Sequence, residues 1–212
     1  MSRNNVLSRR TFLKQTILSA GIMAPTIVPA SVFGAGAPSN RITMGCIGVG
    51  GMGTNDMRAF LTQPDVHILA VCDPVEMSNE YEHWYQHGWN GHYFGRRAAQ
   101  KIVEDYYARK NNLGQYHGCN ATADFRDILE RNDIDAVTIV TPDHWHAVMT
   151  VMAAKSGKHI YCEKPLSLTI DEGKAMIKAV RRYGVVLQTG SHRRSDNRVR
   201  RMCEWVRNGR IG

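Results

Sequence analysis

Short apolar runs recur along the chain at intervals that suit a sheet whose strands are joined by helices. Residues 66–72 form the clearest run, an almost continuous apolar segment of the kind that is buried on both faces of a parallel sheet. Alternation of such runs with helical patterns predicts an α/β fold with a doubly wound parallel sheet. The predicted strands cover residues 42–47, 66–72, 134–140, 159–162 and 185–189.

The segments between the strands carry apolar side chains at the three- and four-residue spacing of a helix that packs on a sheet. After the first strand, this stripe consists of Met57, Phe60 and Leu61, and Pro64 ends the helix. Residues 95–110 predict a second helix that fills the crossover. Its apolar side is expected to contain Ala98, Ile102, Val103 and Tyr106.

Capping signals mark the ends of the later helices. Asp124 caps a short helix that continues through residue 131. A longer helix is expected from about His146 to residue 156, where Gly157 ends it. Thr169 and Glu172 have the spacing of a capping box for a helix that ends near residue 184.

A glycine-rich turn, G-V-G-G-M-G at residues 48–53, follows the first strand and begins the first helix. Gly48 permits the tight turn, Gly50 lets a pyrophosphate approach the backbone, and Gly53 lets the helix pack closely on the strand. The free amides and the positive end of the helix would hold the phosphates. The pattern predicts a Rossmann-type dinucleotide site, the alternative being a glycine-rich turn that binds nothing. The cofactor-binding candidates in the turn are Gly48, Gly50, Gly51, Met52 and Gly53.

Asp73 follows the second strand, about twenty residues after the turn. A carboxylate at this position accepts hydrogen bonds from the adenosine ribose hydroxyls and repels a 2′-phosphate. The sequence therefore favours NAD over NADP as the cofactor.

The first forty residues contain four basic residues and no acid, followed by a moderately apolar run from 17 to 33. The string S-R-R-T-F-L-K at residues 8–14 resembles a twin-arginine export signal, so we assign residues 1–37 to a signal peptide. A surface helix fits less well because apolar residues crowd all sides of the segment, and the run is short for a membrane anchor. Cleavage is expected after Ala30 or nearer Ala37, with no stable membrane span left.

The twin-arginine route exports folded proteins, which places a constraint on the cofactor. A nicotinamide cofactor is made in the cytoplasm, so it would have to be bound before export and regenerated within the catalytic cycle. The expected location is the periplasm or the cell exterior.

Charge is concentrated at the two ends of the chain. The formal net charge is +8, but residues 1–40 contribute +4 and residues 181–212, with nine arginines and two acids, contribute +7. The middle of the chain is therefore slightly acidic. The basic end is accompanied by no interleaved aromatic residues and no nucleic-acid-binding motif, so no nucleic-acid partner is predicted.

No metal site is predicted. The five cysteines lack C-x-x-C spacing, and Cys46, Cys72 and Cys162 fall in predicted strands, where buried free thiols are expected. His83 and His87 are four residues apart, which could place two imidazoles on one helix face. No carboxylate pattern completes a ligand set there, and an aromatic-rich insertion over the cleft is the commoner explanation.

Two further strings follow the later strands, T-P-D-H-W-H at residues 141–146 and E-K-P-L-S-L-T at 163–169. Together with the glycine turn and Asp73, in this order, they resemble the amino-terminal half of the Gfo/Idh/MocA oxidoreductases. The resemblance covers residues 41–212, and E-K-P is its most specific element. It implies hydride transfer between a nicotinamide cofactor and the hydroxyl group of a sugar or cyclitol.

The resemblance also implies roles for individual residues. The lysine of the family reaches both the nicotinamide and the reacting hydroxyl, so Lys164 is the catalytic candidate. A lysine ammonium can hydrogen-bond and polarise the oxygen from which a proton must be removed; the alternative is a solvated lysine beside a strand end. Cofactor contacts are implied for Gly48, Gly50, Gly53, Asp73, Thr141, Pro142, Glu163 and Lys164. His144 and His146 are expected in the same cleft, with Gln188 and Arg193 close to it.

Members of this family continue into a second, α+β domain with a mostly antiparallel sheet, which supplies most of the substrate pocket and the oligomer interface. On this basis we expect residues 38–189 to form the NAD-binding domain and residues 190–212 to begin the connection to a second domain that this chain lacks. A homo-oligomer is expected when that domain is present, and activity of the 212-residue chain alone is in doubt.

Three functional hypotheses remain open. The first is an exported NAD-dependent oxidoreductase module that acts on a sugar or cyclitol. The second is a glycosidase, lyase or epimerase that oxidises a sugar transiently with bound NAD; the exported glycosidases of the family carry a different residue in place of Lys164, which weighs against that branch. The third is an inactive fragment that binds NAD.

Overall fold

The computed structural model describes residues 40–79 and 93–211. The predicted signal peptide at residues 1–37 and the candidate pair His83 and His87 lie outside these residues. The strands are β1 Ile42–Ile47, β2 Val66–Cys72, β3 Asn120–Thr122, β4 Ala136–Ile139, β5 His159–Glu163 and β6 Leu187–Gly190. The helices are α1 Gly51–Leu61, α2 Arg96–Lys110, α3 Phe125–Leu129, α4 Asp143–Lys155, α5 Ile170–Tyr183 and α6 Asn197–Arg207, with a 3₁₀ helix at His192–Ser195.

The six strands form one parallel sheet in the order β3-β2-β1-β4-β5-β6. The chain first winds from β1 outwards through β2 and β3, then returns to the other side of β1 and winds outwards again through β4, β5 and β6. This topology confirms the predicted doubly wound α/β fold. It also places the change of winding direction between β1 and β4, where such folds bind their ligands.

Apolar side chains cover both faces of the sheet, as the strand composition predicts. Along β1, Met44 and Cys46 belong to one buried cluster, which includes α1 and α2 side chains, whereas Ile47 belongs to a second cluster with α3, α4 and α5. Side chains of successive strand residues point to opposite faces. Helices on both faces therefore bury the central strands of the sheet, and the carboxyl ends of these strands remain available to a ligand.

Two predicted helix features differ from the structure. The fully buried side chains of α2 are Ala99, Val103 and Tyr107. Val103 was expected, whereas Ala99 and Tyr107 each follow an expected residue by one position. Tyr107 is drawn inwards because its hydroxyl accepts a hydrogen bond from the Ile68 amide at 2.9 Å, while its ring covers the sheet. Helix α4 begins at Asp143, three residues earlier than expected, because Pro142 occupies the N-cap position and the acid suits the first turn.

The predicted caps of α3 and α5 are confirmed. The Asp124 side chain accepts a hydrogen bond from the Arg126 amide at 2.9 Å. Thr169 and Glu172 form a complete capping box at the start of α5, and Gly184 ends that helix in the left-handed conformation. These caps satisfy backbone groups that the helix ends would otherwise leave unpaired, so the local sequence determines where both helices begin.

Candidate functional site

Strand register brings the sequence motifs to one edge of the sheet. Ile47 is paired with Cys72 in β2 and with Ile139 in β4, and Ile139 is paired with Cys162 in β5. The residues that follow these positions therefore emerge side by side at the carboxyl edge. They are Gly48, Asp73, Val140 and Glu163.

The glycine turn is so tightly packed that side chains cannot be added. Gly48 has a φ of 79°, and a β-carbon there would lie 2.3 Å from the Val140 carbonyl oxygen. A β-carbon on Gly53 would lie 1.8 Å from the carbonyl oxygen of Gly48. Both distances are far below any van der Waals contact, so close packing of β1, the turn and α1 requires glycine at these two positions.

The start of α1 has the properties of an anion-binding site. Its N-cap residue, Gly50, provides no side-chain hydrogen bond, and its first turn contains no acid. The amide of Thr54 donates the first bond of the helix, to the carbonyl of Gly50 at 2.8 Å. The preceding amides of residues 51–53 therefore have no intrahelical acceptor and can meet a diphosphate together with the positive end of the helix.

Asp73 is buried beside the turn, with 4% of its surface exposed. Its Oδ2 atom accepts a hydrogen bond from the Val49 amide at 2.9 Å, and its Oδ1 atom accepts one from the Val75 amide at 2.9 Å. The carboxylate therefore ties the glycine turn to the segment that follows β2 and fixes its own position beside the turn.

A cavity of about 510 Å³ opens between the turn, Asp73 and the loop after β4. Gly48, Gly50 and Thr141 line it on the polar side. Phe125 and Trp145 contribute apolar walls and lie edge to face, with their ring centroids 6.4 Å apart. A polar side next to a helix N-terminus and an apolar wall suit the phosphates and the base of a dinucleotide, so these residues fit such a cofactor.

The two histidines of T-P-D-H-W-H have different environments. His144 is exposed in the first turn of α4. His146 has 1% of its surface exposed, and its Nδ1 atom lies against the carbonyl oxygen of Pro165. Helical periodicity turns the second histidine inwards, so it supports the E-K-P loop and does not line the cleft as expected.

The E-K-P loop separates a buried acid from an exposed base. Glu163 has 4% of its surface exposed, and its Oε2 atom accepts a hydrogen bond from the Lys164 amide at 2.6 Å. The Lys164 side chain is exposed, and no described residue forms a hydrogen bond or ion pair with its ammonium group. The loop thus holds the backbone of Lys164 firmly and leaves its ammonium available to a ligand.

Two further predicted neighbours lie at the surface. Gln188 in β6 is exposed, and its side-chain amide donates a hydrogen bond to the Thr189 carbonyl at 3.0 Å. Arg193 is also exposed and pairs with Asp196 at 3.3 Å. Neither belongs to the residues that line the cavity beside the glycine turn.

Sequence reasoning missed a second group of polar residues behind the E-K-P loop. Asp56 lies on the buried face of α1, and His192 contacts both Asp56 and Glu163. Burial raises the pKa of Asp56 to about 6, an effect that His192 opposes and Glu163 reinforces. An acid next to Met57 and three residues after Gly53, on the side of the helix that packs inwards, was the signal that could have revealed it.

The expected free thiols are confirmed. All five cysteines are free, and Cys46, Cys72, Cys119 and Cys162 are buried. Burial raises the pKa of Cys46 and Cys72 to about 12, so these thiols stay protonated at neutral pH and are poor metal ligands. Within residues 40–79 and 93–211, no helix combines the length and apolar composition that crossing a bilayer needs.

Comparison with known proteins identifies the domain. The family model GFO_IDH_MocA, described as an oxidoreductase family with an NAD-binding Rossmann fold, matches residues 42–191. A levoglucosan dehydrogenase from Pseudarthrobacter phenanthrenivorans is 41% identical over 93 residues, which cover 44% of this chain and 24% of that protein. A glycosyl hydrolase family 109 protein from Saccharopolyspora erythraea is 28% identical over 223 residues, which cover 95% of this chain and 43% of that protein.

The fold is also found in solved structures. The crystal structure of scyllo-inositol dehydrogenase from Lactobacillus casei, with bound NAD(H) and scyllo-inositol, matches with a TM-score of 0.57 and 24% identity. The match covers 81% of this chain and 42% of that one. In all three comparisons the chain spans less than half the length of its relative.

Proposed function

We propose that this chain, which belongs to the Gfo/Idh/MocA family of oxidoreductases, holds the nicotinamide cofactor of an enzyme that oxidises a hydroxyl group of a sugar or cyclitol. One observation carries the proposal. Strand register aligns the glycine turn, Asp73 and the E-K-P loop on a single edge of the sheet, where the winding direction changes. Amides that can meet a diphosphate and an exposed lysine therefore lie along the same edge of the sheet.

The protein's own residues supply binding and proton transfer. When bound, the nicotinamide supplies the hydride acceptor. The amides at the start of α1 orient the diphosphate, and Asp73 orients the ribose while keeping the glycine turn closed. Lys164, as the free amine, accepts the proton of the substrate hydroxyl, and the ammonium so formed donates a hydrogen bond to that oxygen as the carbon loses hydride.

NAD is proposed in preference to NADP. Asp73 carries negative charge next to the ribose position, and Pro74, which follows it, has no donor to offer a phosphate. Arg126 is a cation on the cavity wall, but its guanidinium already donates to both carboxylate oxygens of Asp124 at 3.1 Å. A 2′-phosphate would therefore meet repulsion from Asp73, and none of the described residues that line this wall offers it an unpaired cation.

Replacing Asp73 with serine should reduce the ratio of NAD affinity to NADP affinity. The unaltered chain is expected to bind NAD more tightly than NADP, and the variant should lose affinity for NAD while its repulsion of NADP disappears. The variant should also be less stable, because the buried amides of Val49 and Val75 lose their acceptor. Titration calorimetry with both cofactors measures the first effect, and urea denaturation measures the second.

Asp171→Ser is the control, since Asp171 is an exposed acid in the first turn of α5 and does not line this cavity. Its ratio of NAD to NADP affinity should equal that of the unaltered chain. Equal affinities for the two cofactors in the unaltered chain would refute the proposed specificity.

A second function is a glycosidase that uses NAD transiently. The similarity to the glycosyl hydrolase family 109 protein, which covers 95% of this chain, favours it. Product analysis in a chain extended by the second domain of a relative separates the two functions. A net oxidoreductase releases NADH and oxidised sugar in equal amounts, whereas a glycosidase yields hydrolysed sugar and leaves the cofactor unchanged.

We also propose export by the twin-arginine route. The support is the S-R-R-T-F-L-K string ahead of an apolar run in the first forty residues. Changing Arg9 and Arg10 to lysine keeps the charge and should leave precursor in the cytoplasm. Cell fractionation checks this, with Arg3→Lys as the control outside the motif; normal export of the double variant would point to another route.

A further inference from the structure

Three chain segments bring an acid, a second acid and a histidine together behind the E-K-P loop. Asp56 comes from α1, Glu163 from the end of β5, and His192 from the 3₁₀ helix. One oxygen of each carboxylate and one ring nitrogen of the histidine all lie within 4.8 Å of one another. The Nε2 atom of His192 is 3.7 Å from Asp56 Oδ1 and contacts Glu163 Oε1 directly.

The two carboxylates are deeply buried, and that of Asp56 is incompletely compensated. Asp56 has 6% of its surface exposed and Glu163 has 4%. Among the described residues, His192 is the partner in every ion pair of these two acids, and Asp56 Oδ2 is a buried atom without a hydrogen bond. Buried carboxylates are costly unless positive charge and hydrogen bonds compensate them, so the unpaired oxygen of Asp56 is a position where a cation would be stabilised.

One imidazole nitrogen and two carboxylate oxygens are a ligand set that suits divalent transition metals, in particular Zn²⁺. Metal–ligand distances of about 2.0–2.2 Å place tetrahedral ligands roughly 3.4 Å apart, close to the separation of His192 and Asp56. The imidazole contacts Glu163 directly and must withdraw from it to admit the ion. Its side chain is 39% exposed and lies on a short surface helix, so this movement is possible.

The cluster is accessible from solvent. A cavity of about 220 Å³ is lined by Asp56, Tyr161 and His192. Phe60 forms part of the wall and packs edge to face against Tyr161, with ring centroids 5.3 Å apart. The cavity provides an entry path for a hydrated ion and room for a water molecule as the fourth ligand.

We propose that Asp56, Glu163 and His192 bind a divalent transition-metal ion, for which Zn²⁺ is the probe. The ion would neutralise the two buried carboxylates and join α1, β5 and the 3₁₀ helix behind the E-K-P loop. Glu163 would keep its hydrogen bond from the Lys164 amide through its other oxygen. None of the three residues lines the proposed dinucleotide cavity, and only Glu163 is also a candidate cofactor contact, so metal binding can be measured without the nicotinamide cofactor.

Titration calorimetry of the metal-free 212-residue chain with Zn²⁺ tests the proposal. One Zn²⁺ should bind at this cluster in each chain. The melting temperature should rise with Zn²⁺ concentration because the ion binds the folded state. Asp56→Asn and His192→Gln should each weaken binding by at least ~10-fold, since losing even an outer-shell partner costs that much. Without metal, Asp56→Asn should fold at least as stably as the parent, which separates ligand loss from misfolding.

Two controls isolate the cluster from other histidines. His117→Gln changes an exposed histidine that pairs with Glu104, and the double variant His83→Gln/His87→Gln removes the pair that sequence spacing singled out. Both should bind Zn²⁺ at the cluster as the parent does. The absence of saturable binding in the parent, or unchanged binding in both Asp56→Asn and His192→Gln, would overturn the proposal.

Discussion

Alanine at position 164 is expected to lower the turnover number by about two to four orders of magnitude, the usual effect of losing a positioned acid or base. The Lys164 side chain is exposed at the end of β5, and no described residue binds its ammonium. Removing it should therefore leave the core, the melting temperature and the affinity for NAD nearly unchanged. The loss appears in the chemical step because the developing charge on the substrate oxygen is no longer stabilised.

The measurement requires a system that turns over. Because the chain spans less than half the length of its relatives, the second domain of a relative is added to both parent and variant. NADH formation and sugar oxidation are then followed together. Lys164→Arg should recover part of the loss in kcat if hydrogen bonding to the oxygen matters, while proton transfer stays impaired because arginine does not deprotonate.

Lys178→Ala is the control for removal of an exposed lysine, since Lys178 lies on α5 away from the strand ends. Its kinetics should match those of the parent. If Lys164→Ala keeps kcat within a few-fold of the parent, Lys164 is a solvated neighbour of the site. If that variant fails to fold, the residue has a structural role and the catalytic assignment is wrong.

Alanine at position 53 is expected to destabilise the domain by about 3 kcal/mol or more and to reduce NAD binding. The added β-carbon would lie 1.8 Å from the Gly48 carbonyl oxygen. The oxygen is a backbone atom, and the β-carbon is bonded directly to the backbone. No rotamer change can relieve such a contact, so α1 must move away from β1. That movement also displaces the amides that meet the diphosphate.

Gly173→Ala is the matched control because Gly173 also lies in a helix, α5. Its added β-carbon meets only the Ser167 hydroxyl oxygen within contact range, at 3.3 Å. This substitution should leave stability unchanged or raise it by up to ~1 kcal/mol, as alanine favours helix. Urea denaturation gives both free energies of unfolding, and calorimetry gives the affinities. Similar stabilities for Gly53→Ala and the parent would mean that the turn is looser than these distances indicate.

Local sequence signals determined most of the secondary structure and the glycine turn of this protein. The alternation of strands and helices, the glycine turn and the caps of α3 and α5 depend on side chains close together in the chain, so they could be predicted from spacing alone. The predicted family and the predicted doubly wound sheet are also confirmed. Both predictions depended on local signals, because E-K-P and the glycine motif occur at the ends of predicted strands. The individual cofactor contacts stay predictions.

Tertiary structure decided which polar side chains meet. His146 was expected in the cleft, but the α4 start at Asp143 and the packing of that helix turn it beneath Pro165. Asp56 and His192 are 136 positions apart, and no local pattern links them. They meet at Glu163 because parallel pairing aligns the strand ends and α1 packs across the sheet, and long-range packing of this kind leaves no periodic trace in the sequence.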